Sequence, residues 1–156
     1  MVEKIEAGDK QVSRRIVVDA PIAELYEMVA NPHRHHELDG SGTVGENISG
    51  PEQVSVGDTF GTHMKQFGMK YQTTSTVTQA EPNRVVEWKL GIGQKWRWEF
   101  EELSPGQTQV TETWDIREIP GPVAIVFRLT GMFGRNAKGI EESLRRLQAR
   151  YAGDGS

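Results

Sequence analysis

The chain contains no cysteine. That excludes disulfides, thiolate zinc sites, iron–sulfur clusters and a cysteine nucleophile, and it agrees with a reducing compartment, so a cytoplasmic protein is expected. Long hydrophobic runs are also missing. The longest apolar stretch, residues 122–133, is interrupted by Arg128, Thr130 and Gly131 and falls well short of the roughly 20 residues that a bilayer span needs. It is expected to be buried against protein, with no insertion into a membrane. The opening Met1-Val2-Glu3-Lys4-Ile5-Glu6 alternates in charge where a signal peptide has a basic start and an apolar stretch, so no export is expected. Nor is there an excess of positive charge: 18 Lys and Arg against 22 Asp and Glu leave a net charge of −4. Broad attraction to nucleic acid or anionic membrane is disfavoured, which leaves room for a local basic patch, and no nucleic-acid partner is expected.

What is present is 156 residues without internal repeats, low-complexity tracts or linkers, read as one domain over 1–156 with an ordered core at about 10–152. A chain of this length buries roughly 68–70% of its unfolded surface on folding, enough for a core without staples. Residues 12–18 are β-branched and run into Asp19-Ala20-Pro21, a strand feeding a helix whose first turn accepts proline. Ile22, Leu25, Tyr26 and Val29 then recur at helical offsets until Asn31-Pro32. A second short helix is predicted over 32–39, stopped by Gly40-Ser41-Gly42.

After that the period changes. Residues 43–48, 58–66, 69–79, 84–90, 95–103 and 109–118 read as extended, separated by short turns such as Phe67-Gly68, Glu81-Pro82-Asn83, Gly91-Ile92-Gly93 and Ser104-Pro105-Gly106. Short turns between successive strands predict a six-stranded antiparallel meander. From 122 onward the pattern is helical again, with Ile140, Leu144, Leu147 and Tyr151 on one face and kinks expected at Gly131 and Gly134. The fold class is therefore α+β.

Strand parity says which side chains share a face. Trp96, Trp98 and Phe100 oppose Arg97, Glu99 and Glu101; Val86, Trp88 and Leu90 oppose Val85, Glu87 and Lys89; Val110, Trp114 and Ile116 oppose Thr111, Thr113 and Asp115. Three neighbouring strands thus form one aromatic wall, and their other face is expected to meet solvent. Phe60, Thr62 and Met64, and Tyr71, Thr73, Ser75 and Val77, continue the inner face with hydroxyls mixed in. A core closed by packing avoids hydroxyls, whereas a ligand cavity joins apolar walls to a few polar groups. Glu112 falls on the Val110/Trp114 side, where a carboxylate needs an Arg or Lys partner, a bulge that turns it outward, or a place in a wet pocket.

A strand, two short helices, a six-stranded meander and a long C-terminal helix, in that order, resemble the START-like or SRPBCC superfamily of helix-grip proteins over residues 10–152. The segment Val12-Ser13-Arg14-Arg15-Ile16-Val17-Val18-Asp19-Ala20-Pro21, followed by a helix ending at Asn31-Pro32, is similar to the opening of its polyketide cyclase/dehydrase-like branch. The following His35-His36-Glu37-Leu38-Asp39-Gly40-Ser41-Gly42 looks like the version common in actinobacterial members. The resemblance implies a curved sheet gripping the last helix, with a cavity between them for a lipid, polyketide or other apolar molecule. It does not imply one reaction, since members include carriers, aromatase/cyclases, plant hormone receptors and chaperone cofactors.

The expected function is binding of a hydrophobic small molecule in that cavity, by a monomer or homodimer without cofactor or metal. The residues expected to line it are Phe60, Thr62, Met64, Tyr71, Thr73, Ser75, Trp88, Trp96, Trp98, Glu112, Trp114, Phe127, Met132 and Phe133, with 122–133 as the roof. An alternative is a cyclase/dehydratase-type enzyme moving protons with Glu112, Tyr71 or His36; parity turns the fourth histidine, His63, outward. A third reading is an interaction module whose cavity is filled by its own side chains. His33, His35 and His36 suggest a metal, but three imidazoles so spaced do not converge from one regular helix. The glycine pairs at 91–93 and 131–134 do not join a strand to a helix, as a phosphate cradle would.

Overall fold

The computed structural model describes residues 2–6, 8–38, 44–66 and 69–152, with side chains at all of these except 36, 38, 44–48, 62–66 and 69–72. The expected turns at 40–42 and 67–68 lie outside the described residues. Strands β1 (Glu3–Ile5), β2 (Gln11–Val18), β3 (Val44–Ser49), β4 (Thr59–Gln66), β5 (Met69–Glu81), β6 (Val85–Leu90), β7 (Lys95–Ser104) and β8 (Gln107–Asp115) form one sheet in the order β1-β2-β8-β7-β6-β5-β4-β3. Every pairing is antiparallel, and β3 to β8 are the predicted meander. β1 was not anticipated: three residues, Glu3-Lys4-Ile5, are too few to show a period, and they take strand form by pairing along β2.

Between β2 and β3 lie α1 (Ile22–Val29) and α2 (His35–Leu38), joined through a single 3₁₀ turn over Pro32–Arg34. The Asn31 side chain caps that turn by accepting from the His33 amide at 3.0 Å. Leu25, Tyr26, Met28 and Val29 of α1 are buried, and Tyr26 meets Phe100 of β7 edge to face, ring centres 5.9 Å apart.

After β8 the chain forms α3 (Gly121–Leu129) and α4 (Met132–Ala152). They are separate helices because Thr130 ends α3 and Gly131 turns the backbone at φ 75°, a conformation that suits glycine. Gly134, expected to share this kink, lies inside α4. α4 packs on β2 and β8, burying Ile140, Leu144 and Leu147 in the core with Val12, Ile16, Val18 and Val110. Each such burial contributes about 1.5–3 kcal/mol.

The outer face of the sheet departs from expectation. Glu87 is only 3% exposed, and Asp115, Thr113 and Ser13 are buried on the same face. Arg97 lies across this face at the centre of a network: it donates to Glu87 Oε2 at 3.1 Å, Glu99 Oε1 at 2.9 Å and Gln11 Oε1 at 3.3 Å, and stands 3.8 Å from Asp115. The register of β5 against β6 shifts between Val77 and Gln79. Thr78 and Gln79 both donate to Glu87 Oε1, at 2.8 and 3.1 Å. Pairing within this network lets carboxylates sit where parity alone predicts open solvent.

Candidate ligand-binding site

The inner face is assembled by register. Trp114 on β8 is directly opposite Trp96 on β7, Trp96 opposite Trp88 on β6, and Trp88 opposite Val77 on β5, so one row crosses four strands. The next row holds Arg14, Glu112, Trp98 and Val86 on β2, β8, β7 and β6. Leu90, Ser75 and Phe60 make a third, on β6, β5 and β4. Cross-strand partners share a face, which is why the predicted aromatics lie together.

Besides the Tyr26–Phe100 pair, two further aromatic groups stand on this face among the described residues. At one end Trp114 is fully buried; its ring centre is 6.4 Å from Trp96, 5.9 Å from Phe127 of α3 and 5.1 Å from Phe133 of α4. The Trp114 indole N–H donates to Gln94 Oε1 at 3.0 Å, which satisfies its polar edge. At the other end His35 of α2 stacks on Trp88 with centres 4.7 Å apart and planes 23° apart, and Phe60 meets both rings edge on. His35 Nε2 lies 2.7 Å from the Val29 carbonyl oxygen. A carbonyl only accepts, so Nε2 carries the proton.

α2 is tied down by Glu37, which accepts from Arg34 at 2.9 Å and pairs with Arg150 of α4 at 2.9 Å. The hydrogen bond from Arg34, with the Arg34 and Arg150 charges, holds the Glu37 carboxyl below the ordinary glutamate range against the opposing effect of burial.

The expected lining residues divide into three sets. Trp98, Glu112, Trp114, Phe60 and Ser75 are buried. Thr73, Trp88, Trp96, Phe127, Met132 and Phe133 are half-buried. The side chains of Thr62, Met64 and Tyr71 lie outside the described residues, as do those of His36, a proton-transfer candidate, and His63, expected to face outward; the backbone register pairs Thr62 with Thr73, Met64 with Tyr71 and His63 with Gln72. Glu112 is in regular register with Trp98 and with Arg14, so no bulge turns it outward. Arg14 in turn donates from Nε to Glu141 Oε2 of α4 at 3.1 Å, linking sheet to helix beside it.

His35 meets Trp88 although the sequence does not single it out within the His33, His35 and His36 cluster, because a helix of four residues is too short for its phase to be read from periodicity. His33 Nε2 is 2.9 Å from the Gly50 carbonyl oxygen. Among the described residues no three His, Asp or Glu side chains converge as a metal site. A groove of about 590 Å³ lies on the outer face, lined by polar chains including Gln79, Glu81, Arg84, Arg97 and Glu99, and does not coincide with the aromatic wall.

Comparison with known proteins places this arrangement. The model of the family described as polyketide cyclase/dehydrase and lipid transport matches residues 9–152. The chain belongs to that family. An uncharacterised protein of Mycobacterium tuberculosis strain H37Rv is 48% identical over 154 residues, covering 97% of this chain and 68% of the relative. Among solved structures, a protein of Rhodobacter sphaeroides superposes with a TM-score of 0.71 at 16% identity, covering 98% of this chain and 99% of that one. A polyketide-cyclase-like protein of Corynebacterium glutamicum superposes with a TM-score of 0.63 at 23% identity, covering 94% and 93%. The shared fold is the helix-grip architecture, a curved antiparallel sheet with a long C-terminal helix across it. Among the described residues no helix is long and apolar enough to cross a membrane.

Proposed function

We propose that this family member binds a hydrophobic small molecule between the inner face of the sheet and the α3–α4 roof, in contact with Trp88, Trp96, Phe127, Met132 and Phe133. The observation that carries this reading is the incomplete burial of those large apolar side chains on the face where the rest of the core is sealed. Apolar surface left against an interior face favours a ligand at about 25 cal/mol per Å² covered, less the cost of ordering it. Thr73 supplies a polar group at the margin of the same surface. Membership in a family described by polyketide cyclisation and lipid transport supports an apolar ligand of lipid or polyketide type.

The test is native mass spectrometry of the purified protein together with tryptophan fluorescence titration against long-chain fatty acids and aromatic polyketides. Saturable quenching and a co-purified mass are expected. Absence of both, with fluorescence indifferent to every compound, would overturn the reading and favour a site filled by its own side chains. The cyclase/dehydratase alternative draws on Glu112, Tyr71 and His36. Only Glu112 of these has a described side chain, and it is buried beside Trp98 and opposite Arg14.

A further inference from the structure

Helix α3 is apolar on both sides. Val123, Ala124 and Phe127 turn inward against the core. Pro122, Ile125, Val126 and Leu129 follow one another at offsets of three, four and seven, a single stripe along a helix. That stripe faces water: Ile125 is 59% exposed, Val126 53% and Leu129 82%. An isolated surface leucine is ordinary, but three large aliphatic side chains grouped on one exposed helix face mark a contact surface.

Charge decides what it contacts. Residues 119–140 contain no Asp or Glu, whereas Arg128, Arg135 and Lys138 add three positive charges, all exposed, in a chain whose net charge is −4. Arg128 is anchored where it stands: its guanidinium donates to the Asp9 carbonyl oxygen at 2.7 Å and lies 4.7 Å over the Phe133 ring. The exposed aliphatic side chains and the cations of this segment complement an anionic lipid surface, which admits apolar groups below its headgroups and attracts Lys and Arg; Asp9 meets the segment through its backbone carbonyl. A second copy is a poorer fit. A two-fold axis would set the same cations against each other. A helix about 14 Å long also offers far less than the roughly 800 Å² per partner that a stable interface buries.

We propose that α3 is a docking surface for anionic membranes, with Ile125, Val126 and Leu129 entering the headgroup region and Arg128, Arg135 and Lys138 against lipid phosphates. The surface lies on the outer side of the helix whose inner side carries Phe127. Its existence does not depend on what the inner face binds.

Co-sedimentation of the full chain with vesicles of equal parts phosphatidylglycerol and phosphatidylcholine tests it, with phosphatidylcholine vesicles as the reference. Binding is expected to the anionic vesicles, and to weaken as salt rises. The triple change Ile125→Ser, Val126→Ser and Leu129→Ser should reduce it by about tenfold or more. Arg135→Gln and Lys138→Gln should each reduce it about fivefold. The thermal midpoint of each variant should stay near that of the parent, because the replaced side chains are exposed; Leu129→Ser alone is the milder check. Equal binding to both vesicle types, no binding to either, or full binding by the triple variant would overturn the proposal. A dimer in sedimentation equilibrium that the triple variant dissolves would overturn it too, by assigning the stripe to a second copy.

Discussion

On the β2–β8 side of the inner face, Val12, Ile16, Val110 and Trp114 are buried in the core with Leu144 and Leu147 of α4, which packs on β2 and β8. Toward β6, Trp88 and Trp96 belong to the same row as Trp114 yet remain half-buried, and the ring contacts of Trp88 among the described residues include His35 and Phe60. The same residue type on the same face thus has two fates. Helix coverage separates them: α4 lies along β2 and β8, while α3 and the start of α4 lean on Trp114 through Phe127 and Phe133. A tryptophan row built across a curved sheet becomes core at one end and candidate binding wall at the other.

Shortening one side chain in each region separates the two environments most strongly. Leu144→Ala, in the sealed region, should cost about 2–5 kcal/mol of stability in urea unfolding, through lost burial plus a cavity. Trp96→Ala should cost about 1–2 kcal/mol, and should weaken binding of an apolar ligand about tenfold. Equal stability losses would show that the Trp96 side is core as well, and the contrast would fall. A smaller effect is expected at the seam. His35→Ala removes both the stack on Trp88 and the bond to the Val29 carbonyl, at about 1 kcal/mol, and should shift the emission of Trp88. Unchanged emission would detach His35 from the wall.

The smallest effect concerns acid. Burial by itself raises the Asp115 carboxyl, but hydrogen bonds from Arg117 and the Arg117 and Arg97 charges hold it below the ordinary aspartate range. Its folded pKa is therefore below its unfolded one, about 3.9. The stability it contributes is present above that unfolded value and is lost as pH falls through the depressed folded value. Asp115→Asn should flatten the loss of stability below about pH 4, measured by urea midpoints at successive pH values. An unchanged acid slope would remove Asp115 from the account. Asp115 follows Trp114 on β8, so acid is expected to loosen the sealed side first.

Much of the sheet was legible because its strands alternate cleanly. Trp96, Trp98 and Phe100 against Arg97, Glu99 and Glu101 need no tertiary information to be assigned to two faces, and the observed register puts them there. Two things were not legible. Parity says that Glu87 points away from Trp88, but that it is buried depends on Arg97 from β7 and on the bulge that brings Thr78 and Gln79 to it. Neighbours on other strands cannot be seen in one strand's pattern. The placement of His35 against Trp88 likewise depends on a helix of four residues, too short for periodicity to register.

The order of elements, the face of each long strand and the amphipathic stripe of α4 follow from local patterning, because periods of two and 3.6 are written along the chain. The sequence also groups all four tryptophans into 88–114 on one face. Only the tertiary structure decided which of them is sealed, since burial depends on where the helices lie across the sheet, a relation between segments far apart in the chain. It likewise decided that the outer side of α3 stays open. A helix with apolar residues on both sides reads as buried from its sequence, and only the way it packs, with Val123, Ala124 and Phe127 inward, leaves Ile125, Val126 and Leu129 in water.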